Sequence, residues 1–386
     1  MTAPVLQLFE RPGIIELTWG HPDLALLPVG ALRRAGMAAL DQYGAEALQY
    51  GHPAGPGPLL EWLAERIGRQ EGRGPALDEI MTTGGISLGL DQLLTSLVVP
   101  GDTVLVESPT YHLAVNILRD HHLNLLPVPS DDEGLNVEAL RDMLTHRARS
   151  GARPKALYLV PTFNNPTGRS LAPERRRALV ALAAAENLLI IEDDVYRELA
   201  YDGPAPPSLW RLAQPGVVAR LGSFSKSLGP GLRLGWLTAG RELIDRLISG
   251  GLLDSGGGIN HYTALVVAAL CACGDYDANL EDLRRSYRER RDTLVAALRQ
   301  HLPEGYRVTS PGGGFFVWVD LPAGVSSRAL LPKAEAAGVS FFPGGGFHLG
   351  GGGDGGLRLA FSLYAPAQLA EAARRLGQAA QSALSE

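Results

Sequence analysis

From about residue 80 onward, short apolar runs alternate with segments of helical period. Residues 103–107 (TVLVE), 156–160 (ALYLV), 188–192 (LLIIE) and 217–221 (VVARL) are brief, aliphatic or β-branched. Such continuous apolar character predicts strands buried on both faces, as in a largely parallel sheet covered by helices. Between them, Ile86, Leu90, Leu93, Leu94 and Leu97 mark one amphipathic helix, and Leu280, Leu283, Tyr287, Leu294 and Leu298 a longer one. After about residue 305 the pattern changes to strands at 315–321, 340–343 and 357–362, followed by an alanine-rich helix from Pro366, which reads as a smaller α/β unit. The glycine runs 344–346 and 350–353 read as a mobile loop, with no Lys-Ser/Thr after them to make a phosphate motif.

A length of 386 residues exceeds one ordinary core and predicts about two or three domains. The chain is 45% apolar and 20% charged, with no uninterrupted apolar run of about 18 residues to span a bilayer, so no membrane partner is expected. MTAPVLQLFERPG has neither the basic start and apolar core of a secretory leader nor the Arg/Ser-rich character of a transit peptide, and the expected location is the cytoplasm. A net charge of −6 offers no general footprint for nucleic acid, and the arginine groups at 175–177 and 288–291 read as solvated helix faces. Cys271 and Cys273 lie in an apolar stretch with no second ligand pair, so packing is expected of both, with no metal and no disulfide.

Three segments carry candidate chemistry, each just past an apolar run. Gly222-Ser223-Phe224-Ser225-Lys226-Ser227, with Gly231-Leu232-Arg233-Leu234-Gly235-Trp236 beyond it, puts a lysine at the strand end where open α/β sheets bind ligands. Desolvated there, a lysine becomes an amine nucleophile, although a lone lysine is more often exposed and inert. Pro161-Thr162-Phe163-Asn164-Asn165-Pro166-Thr167-Gly168 is turn chemistry when taken alone. Ile191-Glu192-Asp193-Asp194-Val195-Tyr196 ends an aliphatic run in carboxylates that could hold a buried cation or cap the next helix. The order of the three places Asn165, Asp193, Lys226 and Arg233 past successive strands, on one rim of the sheet.

With these motifs in place, the chain resembles the class I/II aminotransferases of pyridoxal-phosphate (PLP) fold type I, from Trp19-Gly20-His21-Pro22 to Arg358. The resemblance implies a PLP cofactor and transfer of an amino group between an L-amino acid and a 2-oxo acid, 2-oxoglutarate being the expected acceptor, by a ping-pong mechanism. It makes Lys226 the Schiff-base lysine and proton shuttle, Asp193 the partner of the pyridine nitrogen, and Asn165 and Tyr196 the donors to the cofactor's phenolic oxygen. Arg233, Ser223, Ser225 and the Gly84-Gly85 turn before Ile86 and Ser87 are implied for the phosphate, with Gly85, Ile86 and Ser87 offering the helix start. Relatives usually carry Ser-Gln or Ser/Ala-Thr after that glycine, so Ile86 contributes backbone alone and Ser87 is the compensating hydroxyl. Tyr111 is implied to stack on the cofactor ring, and Tyr50 to reach the phosphate of a neighbouring subunit, which implies a homodimer. Arg358 is implied as the clamp on the substrate α-carboxylate, with Asn165 and Gly20 completing that subsite. Alternation with Leu357, Leu359 and Phe361 places Arg358 on the face of its strand opposite the apolar core.

The fold so implied has a large PLP-binding domain at 35–260 and a small domain made of 1–34 plus 261–386. Within the family, Arg11-Pro12-Gly13-Ile14-Ile15, Gln49-Tyr50 and the motifs around Asp193 and Lys226 resemble the 2-aminoadipate and kynurenine-type enzymes. The aminoadipate enzymes place an arginine for the distal carboxylate on a helix upstream of the Arg-Pro-Gly segment. Only ten residues precede Arg11, and the expectation is a relaxed preference for aromatic, aliphatic or acidic amino acids. The alternatives are another PLP reaction on the same scaffold, β-elimination or decarboxylation, and a PLP-binding regulatory module like that carried by some transcription regulators.

Overall fold

The computed structural model describes Gln7, residues 11–149 and residues 153–384; most of the stretch read for a leader lies outside these. At its centre is an eight-stranded sheet built from β1 (Ile80–Thr83), β2 (Thr103–Ser108), β3 (Asn124–Asp131), β4 (Gly134–Leu135), β5 (Ala156–Leu159), β6 (Leu189–Asp193), β7 (Val218–Ser223) and β8 (Gly235–Thr238). Their order is β1-β8-β7-β6-β5-β2-β3-β4. The run from β7 to β3 is parallel, whereas β8 is antiparallel to both its neighbours and β4 to β3. Every residue of β2, β5 and β7 is buried, the two-sided burial that their continuous apolar runs predict. The helix Ile86–Leu97 turns Leu90, Leu93 and Leu94 inward, and Asp275–His301 buries Leu280, Leu283, Tyr287, Leu294 and Leu298, so both helical periods hold. Pro366–Leu384 packs along the second of these.

A second sheet, antiparallel throughout, comprises β9 (Arg307–Val308), β10 (Phe316–Asp320), β11 (Phe342–Pro343) and β12 (Gly356–Ala360), in the order β9-β10-β12-β11. The expected run at 340–343 is split, because Val339–Ser340 pairs instead with Ile15–Glu16 and ties the N-terminal segment to this side of the molecule. The four strands of the large sheet that the apolar runs leave unmarked, β1, β3, β4 and β8, are short or interrupted by proline and polar residues.

Several expectations need correction. Arg176 is fully buried and donates to the carbonyls of Leu171, Pro207 and Pro161 and to Thr162 Oγ1, so it pins the loop that follows β5. Arg290 and Arg291 are buried as well, against the Ser362 carbonyl and Asp23, and against Asp202 and the Pro311 carbonyl. A guanidinium with enough acceptors can leave water, which a charge run in sequence does not reveal. Cys271 packs in the core but Cys273 is exposed. Glycines 344–346 form a 3-10 turn, Gly344–Phe347, whose Phe347 is buried and accepts a hydrogen bond from Thr110 N. Arg358 faces away from Leu357 and Leu359, as the alternation predicts, but it is buried like the other four residues of β12.

Buried charge also holds the large sheet to its helices. Glu71, closing the helix Gly57–Glu71, pairs with Arg220 on β7 at 2.7 Å, and Arg220 pairs with Asp194 at 2.8 Å. Burial alone would raise the Asp194 carboxyl, but Arg197 and Arg220 hold it below the usual carboxylate range. Replacing Arg220 by Met leaves the buried carboxylates of Glu71 and Asp194 to share Arg197, at a cost of about 3–5 kcal/mol. A melting temperature lower by roughly 5 °C is therefore expected for Arg220→Met, and an unchanged one would contradict the role given to this pair.

Candidate active site

The parallel strands end on one rim, and the candidate residues gather there. Asp193 is the last residue of β6 and Ser223 the last of β7, rather than following them. Arg233 precedes a strand instead of succeeding one: it stands just before β8, whose antiparallel direction returns its start to the same rim. A cavity of about 950 Å³ opens at this rim against the second sheet. Gly20, Ile86, Ser87, Tyr111, Asn165, Asp193, Tyr196, Ser223, Ser225, Lys226, Arg233 and Arg358 all line it.

Lys226 lies three residues beyond β7, and its Nζ donates to the Gly20 carbonyl at 2.8 Å. Burial, followed by repulsion from Arg358 and Arg233, brings its ammonium down to about 8, with Asp193 pulling the other way. Gly20 must be glycine, because a methyl group there would sit 2.5 Å from the Phe316 ring.

Glu192, Asp193 and Asp194 divide by strand alternation. The Glu192 carboxylate accepts from Leu209 N and Trp210 N at 2.9 and 3.0 Å, and Asp194 belongs to the arginine network, so Asp193 alone faces the cavity. Asp193 Oδ2 accepts from the Tyr158 hydroxyl at 2.7 Å, and Oδ1 accepts from Val195 N at 3.3 Å. Burial raises its carboxyl to about 6. Burial also raises the Tyr196 and Tyr111 phenols, which therefore stay protonated donors at neutral pH.

At the other end of the cavity, Gly85, at φ 83°, leads into the helix Ile86–Leu97 and leaves the first N–H groups of that helix without intrahelical partners. The Arg233 guanidinium lies over this turn and donates to the Gly84 carbonyl at 3.2 Å, and a methyl group on Gly85 would come within 3.0 Å of it. Ser223 and Ser225 complete the group, their hydroxyls 2.9 Å apart. One guanidinium, two hydroxyls and a helix start form a cradle for a phosphate-sized anion.

Arg358, 3% exposed, donates to Asn165 Oδ1 at 2.7 Å and to the Thr18 carbonyl. Its guanidinium lies 4.2 Å from the Phe316 ring centroid and 4.7 Å from that of Phe347. Its Nε is buried without a hydrogen-bond partner, a donor left for an anionic group. With its oxygen taken by Arg358, the Asn165 amide keeps its NH₂ as the half that can donate. Two candidates do not line the cavity: Gly85, whose turn leads into the helix start that does, and Tyr50, which is 79% exposed. Among the residues the sequence left unmarked, Trp19 and His21 stack on one another on the cavity wall, and Tyr158 stands behind Asp193. A tyrosine in an all-apolar strand gives no sign of what its hydroxyl meets.

These residues fit PLP: an anion cradle at one end, the buried Asp193 carboxylate for the pyridine nitrogen, donors in Asn165 and Tyr196, and an amine depressed enough to attack a carbonyl. Bound there, the ring supplies an electron sink for charge developed at a substrate's Cα.

The comparisons with known proteins agree with this chemistry. Residues 13–376 match the family model described as aminotransferase class I and II. The 2-aminoadipate transaminase of Thermus thermophilus is 36% identical over 383 residues, 97% of this chain and 92% of its own length. Aromatic-amino-acid aminotransferase 1 of Thermococcus litoralis is 33% identical over 379 residues, covering 97% and 89%. Among solved structures, the kynurenine aminotransferase of Pyrococcus horikoshii in complex with PMP matches with a TM-score of 0.91 and 33% identity, over 96% of this chain and 92% of that one. The chain therefore belongs to the class I and II aminotransferases, and is a PLP-dependent enzyme of fold type I that transfers amino groups.

Proposed function

We propose that the enzyme passes an amino group from an L-amino acid to a 2-oxo acid, 2-oxoglutarate among them, in two half-reactions at one site. The observation that carries this reading is the meeting of Lys226, Asp193, Arg233 and Arg358 in one cavity. Lys226 would hold the cofactor by condensing its amine with the aldehyde, with loss of water, and when a substrate amine takes its place the freed amine would carry the proton leaving substrate Cα. Asp193 holds the proton on the pyridine nitrogen. Asn165 and Tyr196 would donate to the phenolic oxygen and Tyr111 would cover the ring, while Gly85, Ile86, Ser87, Ser223, Ser225 and Arg233 would hold the phosphate. Arg358, with Asn165 and Gly20, holds the α-carboxylate common to donor and acceptor, so each must leave before the other enters, which is ping-pong order.

The side-chain end of the cavity supports a relaxed preference. Its lining mixes Trp19, Phe341 and Phe342 with Ile117 and Leu331, and Arg11 stands there paired with Glu16 and Glu335. We further propose a homodimer in which Tyr50 reaches the neighbouring active site, since Leu24, Val29, Met37, Leu40 and Leu48 expose apolar surface on the same stretch of chain. The division into domains at 35–260 and at 1–34 plus 261–386 belongs to the same proposal: closure of the second over Lys226 would exclude water from the reacting carbon.

Aromatic, aliphatic and acidic amino acids should all convert the bound cofactor in single half-reactions followed by absorbance, and strict selectivity for aminoadipate would contradict the relaxed preference. The rate at which PLP-free protein captures PLP should rise with pH through about 8, as Lys226 loses its proton, and level off above. Arg358→Leu removes a neighbouring cation and should move that midpoint upward, whereas an unmoved midpoint would contradict the electrostatic role given to Arg358. Sedimentation should give a dimer, with Tyr50→Phe losing PLP several-fold more readily; a monomer, or wild-type retention, would contradict the shared site.

A further inference from the structure

We propose that Tyr158 is a positioning residue for amino transfer: its hydroxyl fixes the Asp193 carboxylate in place and in its charged form toward the cofactor. This rests on the pairing of Asp193 with the pyridine nitrogen given above. Tyr158 lies on β5 opposite Ile191 of β6, and Asp193 is two residues further along on the same face, the diagonal relation that brings a long side chain across to its neighbour. Tyr158 is fully buried and lines no part of the cavity, while its hydroxyl is 2.7 Å from Asp193 Oδ2. With Val195 N on Oδ1, both carboxylate oxygens carry a donor from the protein, so the side chain cannot turn away from the cavity without breaking one of them.

The groups facing Asp193 make this hydroxyl matter. Asp194 beside it and burial both favour the neutral acid, while Lys226 favours the anion. Tyr111 and Tyr196 are protonated phenols nearby and bring no positive charge. Among the forces holding the Asp193 carboxyl down, the Tyr158 hydrogen bond comes first, ahead of Val195 N and Lys226. Without it the carboxyl would titrate higher. Because the ionised form is the one that retains a protonated pyridine nitrogen, PLP affinity should fall as pH drops through the Asp193 transition, and for Tyr158→Phe that fall should begin at higher pH.

The test is PLP binding to cofactor-free protein, followed by quenching of tryptophan fluorescence between pH 5 and 8, for wild type, Tyr158→Phe, Asp193→Asn and the double variant. Loss of a hydrogen bond to a charged acceptor predicts a midpoint raised by roughly one to two pH units and, below the new midpoint, roughly tenfold weaker binding. In the Asp193→Asn background, Tyr158→Phe should add no further pH shift. Melting of the cofactor-free proteins reports separately on packing, and any loss of stability without the pH displacement assigns Tyr158 to the core alone and overturns the proposal. If Asp193→Asn changes the profile and Tyr158→Phe leaves it as in wild type, the inference about Tyr158 falls while the role of Asp193 stands. If Asp193→Asn itself binds PLP with the wild-type profile, the pairing of Asp193 is wrong and this inference falls with it.

Discussion

The active site is built on desolvation. The same rim of the sheet that excludes water brings Lys226 down to about 8, Asp193 up to about 6 and Arg358 down to about 10, and in each case burial is the leading cause. Each shift runs toward the neutral form, so the protein without its cofactor keeps charged groups where charge is unfavourable. A ligand with a phosphate, a protonatable ring nitrogen and an aldehyde would relieve Asp193 and Lys226 together, and a substrate carboxylate would relieve Arg358. In the reading proposed above, the nitrogen would meet Asp193, the aldehyde would take the Lys226 amine and the phosphate would lie at the Arg233 cradle. Chemistry and affinity thus draw on one electrostatic source, and the rest of the architecture serves to hold these groups in place.

That holding is done by buried polar contacts well away from the reacting atoms. Arg176 gathers the carbonyls of the loop carrying Asn165, and Glu107 accepts from Val160 N and Asn164 Nδ2 at the base of the same loop. Arg220 and Arg197 draw Asp194 away from the cavity, which leaves Asp193 as its only carboxylate from that strand. On the opposite wall, Arg358 reaches Asn165 and the Thr18 carbonyl, while Lys226 reaches Gly20, so the N-terminal segment is fastened to both sheets at the cavity itself.

What could be read from sequence follows the physics. Continuous aliphatic runs reported β2, β5, β6 and β7, because strands buried on both faces tolerate little else, and the helical period of Asp275–His301 was equally plain. The family and fold were legible because Lys226, Asp193, Asn165 and Arg358 sit in motifs whose order along the chain is as informative as their identity. Strands β1, β3, β4 and β8 were not legible: β1, β4 and β8 are too short to show a pattern, and β3 is mostly exposed or half-buried and interrupted by prolines. Nor could the arginines at 176, 290 and 291 be separated from solvated ones, for what decides burial there is the set of carbonyl and carboxylate acceptors that only the fold assembles. Tyr158 escaped notice for the same reason.

The central claim is that Lys226 is the amine bonded to the cofactor. It is tested most directly by reducing the PLP-loaded protein with borohydride, digesting it and locating the phosphopyridoxyl group by mass spectrometry. The label is expected on Lys226 and should be lost when the protein is first converted by excess amino acid, which frees the lysine. A label on another lysine, or none on Lys226, would contradict the account.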